Sequence, residues 1–494
     1  MSALDPITLQ VLLGSLRAAC DEMGAVLVRS AHSANIKERR DASTALFDAE
    51  GQMVMQAEHI PVHLGAMPSA VAAVLDEEQR PEEPWILNDP YRGGTHLPDI
   101  TVITPLFHEG ELAGFAASRA HHADVGAEEP GSMPALSRTL ADAGVVIPPT
   151  RLTDKVLHEL AGRMRNPRQR EADLRAQLAA GRAGGERVAA LIERFGIETV
   201  RTGMRETLDY AERRTRARIE ELEDGEYESS DVLEATDGDV ELQLHARVKG
   251  DGMELDFSGS APQHDGNLNC PLAVTLSACY FALRVLTDPD VPPCAGAYRP
   301  LTVSAPEGSL LNARSPAAVA AGNVETSSRV ADLVLRAFGH ALGQGTMNNL
   351  TLGNERFTYY ETLGGGQGAC ADADGPSAVH VAMSNTLNTP IEALELEFPL
   401  RAVEYSLRRG SGGHGRQHGG DGVVRELQAL DEMRYSLITE RRRHAPPGAD
   451  GGEPGRPGRN LLNGDELPPK ASGTLRPGDR LRIETPGGGG HGER

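Results

Sequence analysis

Residues 100–118 narrow the folding possibilities more than any other stretch. Ile100-Thr101-Val102-Ile103-Thr104-Pro105-Leu106-Phe107 is a β-rich run, Glu109-Gly110 is a turn pair, and Leu112 to Ser118 is a second β-rich run. Two such runs about a glycine-containing break specify an antiparallel hairpin. With Glu109-Gly110 as a two-residue turn, Phe107 pairs near Leu112, and facing residues have numbers that sum to about 219. His121 then lies opposite position 98, beside both His96 and Asp99. This is the open end of the ribbon, where neighbouring strands are about 5 Å apart.

Chemistry-bearing residues concentrate at that open end. Asn88-Asp89-Pro90-Tyr91-Arg92-Gly93-Gly94-Thr95-His96-Leu97-Pro98-Asp99 leads into the first run, and His121-His122-Ala123-Asp124 leaves the second. Two imidazoles and a carboxylate so placed bind Zn, Mn or Fe as divalent ions and leave positions open for water or substrate. The face is less determined than the proximity, because a one-residue slip in register turns His121 from the side of His96 to the side of Asp99. A single histidine at a strand end is usually a solvated polar group. The clustering of several here favours a metal site.

The remaining chain reads as an α+β protein with antiparallel hairpins, a helical middle and a glycine-rich C-terminal region. Three segments are expected: a mixed metal-site domain over 1–150, a helical segment over 151–226, and a strand- and loop-rich region over 227–494. Asp5-Pro6 starts a helix, with aspartate as N-cap and proline at the first helical position. A second hairpin is expected over Thr44–Phe47 and Met53–Gln56. Asp41 lies just before it and would offer a further carboxylate, although by spacing it is first a partner for Arg39 or Arg40. His59 and His63 are four apart, but Pro61 between them argues against a shared helix face; lining the pocket is one reading, and packed or solvated histidines are the favoured one. In the helical segment, breaks are expected at Pro167 and Gly184-Gly185, and its charges read as an ordinary solvated face with no chemistry.

The formal net charge of -22 argues against nucleic acid or an anionic membrane surface as partner. Five cysteines without C-x-x-C spacing suggest neither a disulfide framework nor a zinc ribbon. With no secretory leader and no uncharged apolar run of membrane-spanning length, a cytoplasmic location is expected. The glycine runs at 364–368, 410–415, 419–422 and 487–492 match no G-x-x-x-x-G-K-[ST] pattern and read as tight turns, so no nucleotide site is expected on this chain.

Several longer motifs carry a resemblance. Asn35 through Asp41, His59 through Gly65, Asn88 through Asp99, Ala120 through Asp124, Gly322-Asn323-Val324-Glu325-Thr326, Gly345 through Thr351, Tyr360-Glu361-Thr362 and Asn385 through Pro390 together resemble the hydantoinase B/oxoprolinase family. The resemblance implies a β subunit that works in a hetero-oligomer with a hydantoinase A-type subunit carrying the ATP and Mg site. It also implies ATP-dependent opening of a small cyclic amide, such as 5-oxoproline or a hydantoin. Related ketone carboxylases are the alternative. A metal-stabilised scaffold and a self-sufficient amidohydrolase are further ones. Carried over by motif, His96, Asp99 and His121 are the metal ligands, with Asp41 as a fourth. His122 and Asp124 would orient them, while His122, Asp124 or Glu361 would move a proton. Asn385 and Asn388 would contact substrate.

Overall fold

The chain opens with the expected helix. In the computed structural model, which describes residues 4–58 and 60–494, α1 runs Pro6–Ser30, and the Asp5 carboxylate accepts from the Ile7 and Thr8 amides. This is the arrangement that satisfies the free N–H groups of a helix start. One turn, α2 (Ala34–Lys37), leads to the hairpin of β1 (Ala42–Phe47) and β2 (Met53–Glu58). After α3 (Ala66–Leu75) come β3 (Trp85–Leu87), β4 (Asp99–His108), β5 (Glu111–His121) and β6 (Thr150–Arg151). These strands form one antiparallel sheet in the order β2-β1-β5-β4-β3-β6.

The β4–β5 hairpin turns where expected. Glu109 and Gly110 have φ of 51° and 87°, as the mirror-image hairpin turn requires. Its register then departs from a uniform ladder. Phe107 pairs with Leu112, but Leu106 pairs with Gly114, so a bulge at Ala113 shifts everything beyond it by one residue. Asp99 therefore faces His121 directly. Gly114 makes the bulge possible: its φ is 153°, and a Cβ there would sit 2.2 Å from the Phe47 carbonyl oxygen.

Three helices follow: α4 (Asp154–Gly162), α5 (Pro167–Phe195) and α6 (Ile197–Ile219). The expected break at Gly184-Gly185 is absent. A Cβ at Gly184 would meet Met23 Sδ at 2.5 Å, and one at Gly181 would meet Thr104 Oγ1 at 2.3 Å. These glycines let α5 lie close against α1 and the first sheet; the helix ends at Gly196, where φ is 80°. The expectation that this segment's charges form an ordinary solvated face is also corrected, because Arg170 and Asp173 of α5 are buried, with Gln177 beside them.

The C-terminal half adds three sheets. β7 (Gly225–Ala235), β8 (Gly238–Lys249), β9 (Gly252–Asp256) and β10 (Leu301–Ser304) pair in the order β10-β9-β8-β7. Helices α7 (Leu272–Leu286), α8 (Ala295–Tyr298) and α9 (Ser327–Ala337) accompany them, and α9 is entered through a π-helical turn, Gly322–Thr326. The last strands are β11 (Asn349–Gly353), β12 (Thr358–Glu361), β13 (Leu400–Arg408), β14 (Gly422–Ala429), β15 (Met433–Ile438), β16 (Arg459–Leu462), β17 (Asp465–Leu467), β18 (Lys470–Leu475) and β19 (Arg480–Glu484). They form sheets ordered β12-β11-β15-β18 and β13-β14-β19-β16-β17, with α10 (Ile391–Glu397) beside β13. The architecture is α+β, as expected. Its largest apolar core joins Phe47 and Phe115 of the first sheet to Leu242, Val274, Leu333 and Ile438.

The glycine runs are not chiefly turns. Among their described glycines, Gly410 and Gly492 have positive φ. The others lie in strands of backbone packed directly on one another. A Cβ at Gly366 would sit 1.9 Å from the Gly420 oxygen and 2.2 Å from the Gly488 nitrogen. Backbone bonds such as Gly488 N–H to Gly420 O (2.9 Å) and Gly413 N–H to Gly488 O (2.8 Å) tie the segments together. Glycine is required here by close approach rather than by turn geometry.

Candidate metal centre

The loop from Asn88 to Asp99 is held in shape before any metal is considered. The Asn88 amide group donates to the carbonyls of Leu97 (2.8 Å) and Val145 (2.9 Å), and its oxygen accepts from Ile147 N–H at 2.6 Å. A Cβ at Gly94 would sit 2.3 Å from the Asn88 oxygen, so the loop doubles back on itself. His96 is delivered from this loop, Asp99 from the first position of β4 and His121 from the last of β5.

These three side chains converge. His96 Nδ1 is 3.1 Å from Asp99 Oδ2, and His121 Nδ1 is 3.7 Å from Asp99 Oδ1 and 4.0 Å from Asp41 Oδ2. One ligand atom from each of His96, Asp99 and His121 lies within 4.8 Å of the other two. An ion bound at about 2.1 Å would set tetrahedral ligand atoms about 3.4 Å apart, so closure about an ion needs only a small inward movement. The Nε2 atoms of His96 and His121 are buried without a hydrogen-bond partner. Buried donors and acceptors are normally satisfied. Orphaned imidazole nitrogens beside carboxylates, around a cavity of ≈ 20 Å³, are what a bound cation would complete. The residues present fit a divalent metal.

Neighbouring groups fix the ligands. Asp99 Oδ2 accepts from Thr95 Oγ1 at 2.6 Å and lies 3.4 Å from His63 Nε2, while His63 Nδ1 contacts Ser43 Oγ at 2.9 Å. The His121 ring stacks on Tyr360 at 4.5 Å, and the Arg39 guanidinium lies over the ring of that tyrosine at 4.7 Å. Arg39 also donates to Thr362 Oγ1 (2.8 Å) and Thr386 Oγ1 (3.2 Å).

Electrostatics divide the two acids. Burial pushes the Asp41 carboxyl up to about 7, against the pull of Arg39 and with a push from Asp99. Burial acts the same way on Asp99, but the charges and hydrogen bonds of His96 and His63 outweigh it and hold that carboxyl well below its usual range. Burial holds the His121 imidazole well below its usual value, and lowers His63 as well. A neutral His121 imidazole beside an ionised Asp99 carboxylate is the pairing that metal binding needs.

Not every expected residue reaches this cavity. Asp41 lines it, and it also keeps its sequence-predicted partner, with Arg39 Nη1 at 3.8 Å. His122 points away toward α5, its Nε2 2.9 Å from Gln177 Oε1; Gln177 in turn donates to the carbonyls of Ile100 and Ser118. Asp124 closes its own loop, accepting from Gly126 N–H (2.7 Å), Gly131 N–H (2.8 Å) and Arg165. Successive strand residues face opposite ways. On β12, Tyr360 and the following Thr362 therefore reach the cavity, while Glu361 turns to Arg425 and Asn388. Ser384 and Thr386, in a segment outside the strands, also line the wall, while Asn385 between them is exposed. Asn388 instead bonds Glu361, the Thr362 carbonyl and Tyr405. His63, read from sequence as packed or solvated in preference to pocket-lining, is buried on the cavity wall; His59 lies outside the described residues. Thr95, Tyr360, Thr386 and Asn323 were not legible as members of the site. The motifs that contain them were the available signal.

The family model for hydantoinase B/oxoprolinase matches residues 5–494. A 5-oxoprolinase from Dictyostelium discoideum is 38% identical over 99% of this chain, which spans 40% of that protein's length. The B-type subunit of a putative D-/L-hydantoinase from Pseudomonas sp. is 32% identical, with 100% of this chain and 90% of the relative covered. Among solved structures, the ATP-dependent caprolactamase of Pseudomonas jessenii superposes with a TM-score of 0.93 at 28% identity, over 100% of this chain and 92% of that one. An acetone carboxylase shares the fold, with a TM-score of 0.89 at 20% identity over 99% and 76% of the two chains. No helix among the described residues is long and apolar enough to cross a membrane.

Proposed function

The chain belongs to the hydantoinase B/oxoprolinase family, and from that premise we propose that it is the metal-binding β subunit of an ATP-dependent cyclic amide hydrolase. The substrate class is a 5-oxoproline- or hydantoin-type ring. The observation that carries this reading is the buried set of His96, Asp99 and His121 with unpartnered imidazole nitrogens. The division of labour is supported by chain lengths: this chain spans 40% of a 5-oxoprolinase but 90% of the B-type hydantoinase relative. A hydantoinase A-type partner would supply the ATP and Mg site.

A lactam carbonyl is a poor electrophile, and transfer of the ATP γ-phosphoryl group to its oxygen on the partner makes that oxygen a leaving group. Water then adds to the activated carbon and the C–N bond breaks, the nitrogen taking a proton, to give a ring-opened acyl phosphate. A second water hydrolyses this to inorganic phosphate and the open-chain acid (the amino acid from 5-oxoproline, the N-carbamoyl amino acid from a hydantoin), alongside ADP. His96, Asp99, His121 and Asp41 would hold a divalent ion, which when bound supplies Lewis acidity and acidifies water. The chain's own contribution is positional. Thr95 and His63 hold the Asp99 carboxylate, and Tyr360 holds the His121 ring by stacking. The cavity has room for an ion rather than a ring. Substrate access therefore requires wall segments to part. Ile60, Val62, Ser384 and Thr386 are among the wall residues that lie outside the sheet ladders.

The test is an assay of the chain together with an A-type partner. ADP release that depends on 5-oxoproline or a hydantoin and not on bicarbonate supports the hydrolase. Dependence on a ketone and bicarbonate would establish a carboxylase instead. Activity that survives loss of both His96 and His121, with only stability reduced, would make the metal site a scaffold.

A further inference from the structure

The wall opposite the metal ligands contains an unsatisfied group of its own. Gly322–Thr326 forms a π-helical turn at the head of α9, and such turns are rare and concentrate at functional sites. This one is tightly braced. A Cβ at Gly322 would lie 1.8 Å from the Asn269 oxygen, and the Gly322 amide donates to the Asn267 carbonyl at 3.0 Å. Thr326 Oγ1 donates to the Leu268 carbonyl at 2.6 Å, Ser327 Oγ to the Asn323 carbonyl at 2.6 Å, and Asn323 N–H to the Val319 carbonyl at 3.0 Å. The product of this bracing is that Asn323, 2% exposed, lines the metal cavity with its side-chain oxygen lacking any donor.

A buried acceptor without a donor costs free energy that a ligand can recover. The Thr362 and Thr386 hydroxyls lie 2.6 Å apart, and both accept from Arg39. The Asp41 and Asp99 carboxylates and the Asn323 carboxamide oxygen offer acceptors, which suits a cation together with one N–H. We propose that Asn323 is a substrate-orienting residue whose carboxamide oxygen accepts the N–H of the amide bond being opened, and so selects rings that carry that N–H. The inference rests on the cyclic-amide reading above. An N-alkylated ring offers the same carbonyl but leaves Asn323 unpaired, and sites built around a hydrogen bond reject ligands that lack it.

Equilibrium binding of 5-oxoproline and N-methyl-5-oxoproline to the metal-supplied full-length chain tests this, with metal content measured in parallel. Wild type should bind the N–H ring about 10- to 100-fold more tightly than its N-methyl analogue. Asn323→Leu should bind both alike, Asn323→Asp should keep the preference, and all should hold the same metal content. Asn323→Ala removes the oxygen without added bulk and serves if the leucine variant does not fold. A preference that persists in the leucine or alanine variant overturns the proposal alone. So does a loss of metal in those variants, which would make Asn323 a ligand of the ion. A wild-type chain that holds metal and binds neither ring overturns the cyclic-amide reading and this proposal with it.

Discussion

Replacing Thr95 with valine should weaken divalent-metal binding by about 10- to 100-fold while leaving the fold intact. Thr95 is fully buried, and valine has nearly its shape, so the perturbation is the loss of one O–H. That hydroxyl donates to Asp99 Oδ2 at 2.6 Å, a short charge-assisted contact. Such bonds are worth about 1.5–3 kcal/mol. Part of that loss falls equally on the free and the metal-loaded chain. The share that appears in affinity is the cost of re-aiming a carboxylate no longer held, about 1.4–2.7 kcal/mol, or one to two factors of ten. His63 supplies the comparison. It approaches the same oxygen at 3.4 Å, near the outer limit of a hydrogen bond, so His63→Phe should cost less than about tenfold. Competition against a chelator of known affinity measures both, with circular dichroism as the check on folding. Affinity unchanged in Thr95→Val, or a larger loss in His63→Phe, would refute the reasoning.

Three further outcomes are expected. Gln177→Leu should lower stability by about 2–4 kcal/mol, because it strips a partner from His122 and a donor from the Ile100 and Ser118 carbonyls in a buried setting; denaturant titration reads it. Gly366→Ala should prevent native folding, since its Cβ would meet backbone atoms, whereas Gly14→Ala should add about 0.5–1 kcal/mol, because nothing lies within 4 Å of its Cβ on α1. The Glu325 carboxyl is raised from 4.5 to about 8, first by burial and then by Glu440, against Lys470. A raised folded-state value means that its contribution is fully present below about 4.5 and is lost as pH climbs through about 8. Wild type should therefore lose stability relative to Glu325→Gln across that window, and parallel denaturation midpoints at pH 5 and pH 9 would expose the opposite trend.

Local signals in the sequence reached the near side of the site and stopped there. The hairpin, its turn and the meeting of His96, Asp99 and His121 followed from periodicity and one turn pair. The exact pairing did not, because a bulge at Ala113 adds a residue that no two-residue turn predicts. Gly114, a lone glycine within a strand run, was its one local trace. The far wall is made by Asn323, Tyr360 and Thr386, which packing brings together from distant parts of the chain. Their places depend on a π-helical turn for Asn323, strand alternation for Tyr360 and an irregular segment for Thr386, none of which residue spacing reveals. That is also why Asn385 and Glu361 drew attention although their neighbours face the cavity. The glycines misled for a physical reason: turns and backbone-on-backbone packing both demand a missing Cβ, and only coordinates separate them.

The most direct test of the metal centre is elemental analysis of the chain after incubation with Zn²⁺, Mn²⁺ or Fe²⁺ and removal of loosely held ions. The account predicts about one divalent ion per wild-type chain and almost none in a His96→Ala/His121→Ala variant that remains folded. A wild-type chain that retains no metal under these conditions, or a double variant that retains as much as wild type, would contradict it.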